Sequence, residues 1–287
     1  MVHLRSDVQL GEIEGIRVYL PGAGITDSDR KEITYWASAP AENPASDFYD
    51  SLRIKAGELR VFESLVPELD IRPSMACLEM GAGQGWAGAL IKRMVPTSEV
   101  HVSDVSADAL RSAVRWERLF GSRLDGKWAC TCRKTPFAAE QFDRVFGYEA
   151  LHHFGIANDF SAALAEMLRI LKPGGRIVML NEPSTPAFLY RWSHARINRA
   201  RRSQHGADID EDVIVIARLK SQARHLGGRL AWRYGTSWDF REMSFPGVIR
   251  SALVRTFPLL GRLVPCGVHL TLVCAPPVDP VRAKPLT

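Results

Sequence analysis

The residues of this 287-residue chain best suited to chemistry gather around one glycine cluster. Glu79-Met80-Gly81-Ala82-Gly83-Gln84-Gly85 closes a short apolar run that begins at Met75, and Asp104-Val105 closes a second one. Glycines at a strand-to-helix turn admit positive φ and let a ligand approach the backbone. A carboxylate about 20 residues further on suits a ribose diol, whose hydroxyls both donate to it. The same stretch reads G-x-G-x-x-G at Gly83, Gly85 and Gly88, so a dinucleotide stays open on spacing alone. Against it, Glu79 stands just before the first glycine. If the strand ends at Met80, Trp86 also falls where a dinucleotide fold wants its third glycine.

Three further groups carry candidate chemistry. His152 and His153 follow an apolar run ending at Gly147-Tyr148, and an imidazole titrates where general-base work is useful. Glu182 follows the next such run and is placed to take a proton, orient an imidazole or bind a substrate hydroxyl. The plainer alternatives are a histidine pair that only braces its loop and a glutamate that caps the following helix beside Asn181 and Pro183. Tyr190, Arg191 and Trp192 open a stretch with five arginines up to Arg202. Arginine forks carboxylate or phosphate and aromatics cover a ring, so this stretch suits a substrate lid. A solvated basic helix paired with Asp208, Asp210, Glu211 and Asp212 is the alternative. Cys130 and Cys132 are spaced C-x-C without a second ligand pair, and no metal is expected.

These groups need elements to hold them. From Asp50 to Leu65, Leu52, Ile54, Ala56, Leu59, Phe62 and Leu65 recur at helical spacing, and Pro67 marks the expected end. Strand and helix patterns then alternate: Met75–Met80, Trp86–Met94, Val100–Val102, Ala107–Phe120, Phe142–Tyr148, Phe160–Leu171 and Arg176–Leu180. Repeated βα units predict a doubly wound α/β fold with a mostly parallel sheet. After Asn181 the alternation breaks into a helical insertion, and Arg229–Tyr234 and Val268–Ala275 recover strand character. The expected organisation is 1–68 as an N-terminal extension and helix over the site, 69–182 as the core, 183–228 as a helical lid and 229–287 as strands completing the sheet. Met1 to Ala45 shows no sustained period apart from the helical stretch Ser28–Ser38. This extension, with Tyr35, Trp36, Phe48 and Tyr49, is placed to close over a bound cofactor.

Composition bounds the rest. With 46% hydrophobic and 24% charged residues the chain is ordinary globular material, and a formal charge of +5 falls short of a nucleic-acid signature. Five scattered cysteines make no disulfide framework. Neither a secretory signal nor a membrane-length apolar run stands out, so a cytoplasmic monomer or homodimer is expected, without nucleic acid or stable membrane insertion. Val248–Val264 mixes Ile249, Leu253, Phe257, Leu259 and Leu260 with arginines, and core packing is favoured over a membrane surface.

The E-x-G-x-G-x-G at Glu79–Gly85 resembles motif I of the class I S-adenosylmethionine-dependent methyltransferases, and other pieces follow in that family's order. They are Asp104, Thr135-Pro136-Phe137 before Phe142-Asp143, Ala150-Leu151-His152-His153-Phe154, and Leu171-Lys172-Pro173-Gly174-Gly175. The resemblance covers roughly Leu69 to Leu180 and implies a seven-stranded sheet with a reversed final strand. It also implies S-adenosylmethionine as cofactor, with Glu79, Gly81, Ala82, Gly83 and Gly85 around its methionine part. Asp104 and Val105 would lie by the ribose, and Gly147 and Tyr148 near the methionine end. Where many relatives carry an acidic residue for the adenine, Thr131, Cys132, Arg133 and Lys134 stand here, and the adenine contacts stay unassigned. The implied activity is methyl transfer to oxygen, nitrogen or carbon of a small molecule such as a sugar or specialised metabolite, with oxygen placed first. An NAD(P)-dependent oxidoreductase and a non-catalytic cofactor-binding domain are the other readings. No Asn-Pro-Pro-Tyr-type motif follows Tyr148, which disfavours adenine methylation.

Overall fold

A computed structural model of the protein describes residues 2–38, 48–205, 212–235, 249, 252–254 and 256–274. The N-terminal part supplies β1 (Gly11–Ile13), β2 (Ile16–Tyr19), α1 (Asp27–Ser38) and α2 (Phe48–Leu69). The alternating core comprises β3 (Ala76–Met80), α3 (Trp86–Met94), β4 (Glu99–Asp104), α4 (Ala107–Arg111), α5 (Ala113–Phe120), β5 (Gly126–Cys130), β6 (Phe142–Tyr148), α6 (Ser161–Ile170) and β7 (Leu171–Ser184). Two helices, α7 (Tyr190–His205) and α8 (Ile216–His225), precede β8 (Gly228–Tyr234) and β9 (Cys266–Cys274).

Among the described residues nine strands join one sheet in the order β1-β2-β5-β4-β3-β6-β7-β9-β8. The expected seven are β5-β4-β3-β6-β7-β9-β8, parallel from β5 through β7, and β9 is the reversed strand, antiparallel to β7. The other two strands come from the N-terminal extension and take the sheet beyond the expected seven. Ile16 and Tyr19 are buried, and β2 pairs in parallel with β5, Arg17 against Trp128 and Tyr19 against Cys130. Four residues are too few for a visible period, yet they cover what would be a bare edge of β5.

Alternation along the central strands explains the two layers. Leu78, Met80, Val145, Ile177 and Met179 pack with Ala163, Leu164 and Met167 of α6 and Leu219 and Ala223 of α8. The intervening Cys77, Val100, Val102, Phe146, Val178 and Leu180 pack with Phe62 and Leu65 of α2, Trp86 of α3 and Trp116 of α5. Strands covered on both faces are apolar throughout, as parallel sheets require. Helix α2 runs past its expected end and carries Pro67 in its last turn, where the missing N–H leaves only one carbonyl unpaired. Glu182 lies within β7, in register with Val268, rather than at the start of a helix.

Candidate active site

The carboxyl ends of β3, β4 and β6 open into a cavity of about 330 Å³. A hollow of about 490 Å³ lies near the start of β5, lined by residues including Arg17, Arg118 and Lys127. Ligands of open α/β sheets sit at the carboxyl ends of the strands, so the smaller cavity is the candidate site. Gly81, Ala82, Gly83, Gln84 and Trp86 line it, together with Ser103, Asp104, Val105, Cys130, Cys132, Tyr148, Glu149, Ala150, His153 and Phe154. Its roof is Asp29, Glu32, Tyr35 and Trp36 of α1 with Lys55 and Glu58 of α2. Phe48 also belongs to α2, but its side chain and that of Tyr49 lie outside the described residues.

The glycine loop is fixed by carboxylates. Gly83 has φ +51° and donates its N–H to Asp104 Oδ2 at 2.8 Å, while Ser106 N–H donates to Asp104 Oδ1 at 2.9 Å. A Cβ on Gly83 would stand 3.3 Å from the Trp36 ring, so the loop and α1 approach closely only because no side chain intervenes. Burial pushes the Asp104 carboxyl up to about 6, although the Ser106 and Gly83 N–H groups oppose the rise.

Glu79 does not face this cavity. Its Oε2 accepts the Gly88 N–H at 2.7 Å behind the loop, and burial pushes its carboxyl up to about 8. It pins α3 to β3, which corrects its expected placement beside the methionine part. Gly88 completes that packing, since a Cβ there would meet Val102 Cγ1 at 2.5 Å and Glu79 Oε2 at 2.7 Å. Gly85 caps α3 and Gly147 packs under Met80 and Met179, so neither lines the cavity.

The expected catalytic trio divides. His153 lines the cavity with its Nδ1 3.0 Å from Glu32 Oε1, a link between the turn after β6 and α1. His152 and Glu182 are buried behind that turn. Glu182 accepts from the N–H groups of Ala150, Leu151 and His152 at 3.0, 2.9 and 3.2 Å, and lies 2.9 Å from His152 Nδ1. Burial alone would raise its pKa, but His152 and the backbone donors hold the carboxyl below the usual range. All its lone-pair directions are committed, so it braces the turn.

Tyr190, Arg191 and Trp192 stand apart from the cavity, and none of the described residues of 183–228 lines it. Arg218 lies over the Tyr190 ring at 5.1 Å, and Arg196 over the exposed Trp192 ring at 5.4 Å. Asp212 accepts from the Asn158 N–H at 2.6 Å, and Asp208, Asp210 and Glu211 lie outside the described residues. Arg133, near the unassigned adenine position, donates to both Asp29 oxygens at 2.9 Å and to Phe154 O at 2.9 Å. It fastens α1 to the core.

The residue that sequence reasoning missed is Glu149, which lines the cavity at φ +51°. Its Oε1 accepts from Asn181 Nδ2 at 2.6 Å, and burial, reinforced by Glu58, pushes its carboxyl up to about 7. Its place directly after β6, beside the histidine pair, was the available signal. Among the described residues no group of three or more His, Cys, Asp or Glu is placed to hold a metal ion, and no helix is long and apolar enough to cross a membrane.

Residues 78–179 match the model of a methyltransferase domain. The ubiquinone/menaquinone biosynthesis C-methyltransferase UbiE of Bordetella parapertussis is 35% identical over 146 residues, covering 47% of this chain and 54% of that protein. The chain thus spans about half the length of the curated relatives it matches. Geranyl diphosphate C-methyltransferase from Streptomyces coelicolor, solved with S-adenosyl-L-homocysteine, superposes with a TM-score of 0.61 at 16% identity, over 88% of this chain and 100% of that one. The [4+2]-cyclase SpnF shares the fold with a TM-score of 0.54 at 16% identity, over 76% of this chain and 80% of that one. Over residues 78–179 the chain thus resembles S-adenosylmethionine-dependent methyltransferases, and its strand order is that of the class I methyltransferase fold.

Proposed function

We propose that the protein binds S-adenosylmethionine in the cavity at the ends of β3, β4 and β6 and transfers its methyl group to a carbon of a small-molecule acceptor. One observation carries the cofactor reading: Asp104 faces the cavity beside a glycine loop that its own carboxylate holds open. A ribose diol donates two hydrogen bonds to such a carboxylate. The acid excess of the lining, Asp29, Glu32, Glu58, Asp104 and Glu149 against Lys55 and His153, fits a cationic donor. The preference for carbon rests on the relatives, since UbiE and the geranyl diphosphate enzyme are both C-methyltransferases.

Bound there, the cofactor supplies an electrophilic methyl group. The chain's part is to position and to exclude water. Gly81, Ala82 and Gly83 offer backbone to the ligand, Asp104 takes the ribose, and Val105, Cys130 and Cys132 form the wall on the adenine side. Tyr148 stands with Trp86 and Phe62 in an edge-on aromatic cluster, centroids 5.3–5.5 Å apart, that shuts water from one side. Glu182 and His152 hold the turn that presents Ala150 and His153. Calorimetric titration with S-adenosylmethionine, S-adenosylhomocysteine and NAD tests this reading. Micromolar binding of the first two, lost in Gly83→Val and Asp104→Ala, is expected. Binding of NAD alone overturns it. Transfer of a tritiated methyl group to a panel of carbon acceptors then tests the second half.

A further inference from the structure

The chain leaves β7 through residues 185–205 and enters β9 from residues 247–265, and the two segments are tied to one end of the sheet. Ser184 of β7 stands in register with Cys266 of β9, and its hydroxyl donates to Cys266 O at 2.8 Å. The Thr185 and Ser193 hydroxyls, 2.8 Å apart, fasten the start of α7 to the same place. Because β7 runs parallel to β6, its carboxyl end is also the cavity's end of the sheet. The described apolar residues of Val248–Val264 mostly stay out of the core, which corrects the packing expected for them. Val254 is buried, whereas Ile249, Leu253, Phe257, Leu259 and Leu263 are 45–69% exposed. Ile249, Leu253 and Phe257 recur every fourth residue, and the Phe257 N–H donates to Leu253 O at 2.8 Å, so helical spacing puts them on one stripe. Leu259 and Leu263 follow around the turn Pro258–Arg262, which is seated on Tyr234, the last residue of β8: a Cβ on Gly261 would stand 2.5 Å from that ring. On the β7 side, Phe188 and Trp192 are 73% and 56% exposed.

Apolar side chains gathered in this way on a surface mark an interaction site, and the charge around them selects the partner. Residues 185–205 and 247–265 carry eight arginines and no aspartate or glutamate. Arg191, Arg196, Arg199 and Arg262 are exposed in the same stretches as the apolar residues. A second copy would set these arginines against one another across a twofold axis. A nucleic acid would meet the arginines but gain nothing from Ile249, Leu253, Leu259 and Leu263. A bilayer with anionic headgroups accommodates both, the guanidiniums at the phosphates and the apolar side chains at the acyl boundary. We propose that this face docks the protein on an anionic membrane surface, lying against the lipid without spanning it. The inference is independent of the cofactor reading, since none of these residues lines the cavity.

The test is flotation of the full chain with vesicles of phosphatidylcholine alone or mixed with phosphatidylglycerol. Binding to the mixed vesicles that falls severalfold as salt rises is expected, with far weaker binding to the neutral ones. The double variant Phe257→Ser with Leu259→Ser should bind at least about tenfold more weakly, and Arg262→Glu severalfold more weakly. Melting temperatures should stay at the wild-type value, because these side chains are exposed. As a second readout, brominated lipid should quench the tryptophan emission of the wild type more than that of Trp192→Phe. Absence of binding to mixed vesicles, equal binding to both kinds, or binding and quenching that survive in the variants overturns the proposal. So does a wild-type dimer that the serine variant splits, which would make the partner a second copy, or tighter retention by duplex DNA than by vesicles.

Discussion

Three glutamates, two buried and one half-buried, show how one residue type takes different work from its surroundings. Glu79 accepts a single backbone N–H in an apolar setting and is driven toward the neutral acid, whereas Glu182 gathers four donor contacts and is held charged. Glu149, between them in character, faces the cavity. Linkage fixes the signs. The folded pKa of Glu79 lies above its unfolded value, so its contribution falls as pH rises from about 4.5 through about 8. Glu79→Gln, which mimics the neutral acid, should match wild type near pH 5 and be more stable by about 1 kcal/mol or more at pH 9, read from urea unfolding. Glu182 has the opposite sign: its stabilisation is full above its unfolded pKa and is lost as pH falls through the lowered folded value. Glu182→Ala leaves three N–H groups without their acceptor and should cost about 3 kcal/mol. Equal melting temperatures for Glu182→Ala and wild type would show that the carboxylate does not hold the turn.

At the scale of elements, helix α1 depends on two attachments for its place over the glycine loop. Thr26 and Asp29 form its N-terminal cap, and Asp29 also receives Arg133 while Glu32 meets His153. Arg133→Ala should lower the melting temperature only slightly, because α1 buries little of the core. It should raise the dissociation rate of S-adenosylhomocysteine severalfold in stopped-flow measurements. An unchanged rate would mean that α1 does not retain the ligand. The core elements were legible because βα alternation is periodic and its strands are apolar on both faces. Asp104, Gly81 and Gly83 could be placed in the site because the turns they occupy are local. Their neighbour Glu79 could not, since a side chain's direction at a strand end depends on Gly88 and Val102, which meet it only in three dimensions. The arginine stretch shows a related limit: composition marks a basic helix but not its distance from the cavity, which Tyr190, Arg191 and Trp192 do not line. Glu149 had only its place directly after β6 as a signal, because the positive φ that turns its side chain has no sequence signature.

The whole molecule joins the sheet edge to the roof. Strand β2 runs parallel to β5, so the chain leaves β2 at the same end of the sheet as Cys130 and Asp104 and enters α1 directly above the cavity. An antiparallel β2 would deliver the helix to the opposite end. The hairpin therefore does two jobs: it covers the β5 edge against intermolecular pairing, and it aims the roof. Its anchor is Ile16, buried at 1% exposure in the cluster with Val102 and Ala129. Ile16→Ala should cost about 1–3 kcal/mol, below the usual core value because an edge strand can shift to close the gap. The same shift should move α1 and weaken S-adenosylhomocysteine binding severalfold at 25 °C, where the protein stays folded. Leu219→Ala on α8, equally buried but distant from the cavity lining, supplies the control. If hairpin and control variants lose similar stability and only the hairpin variant loses affinity, the N-terminal strands aim the roof. If both keep full affinity, α1 is placed by Arg133 and His153 alone.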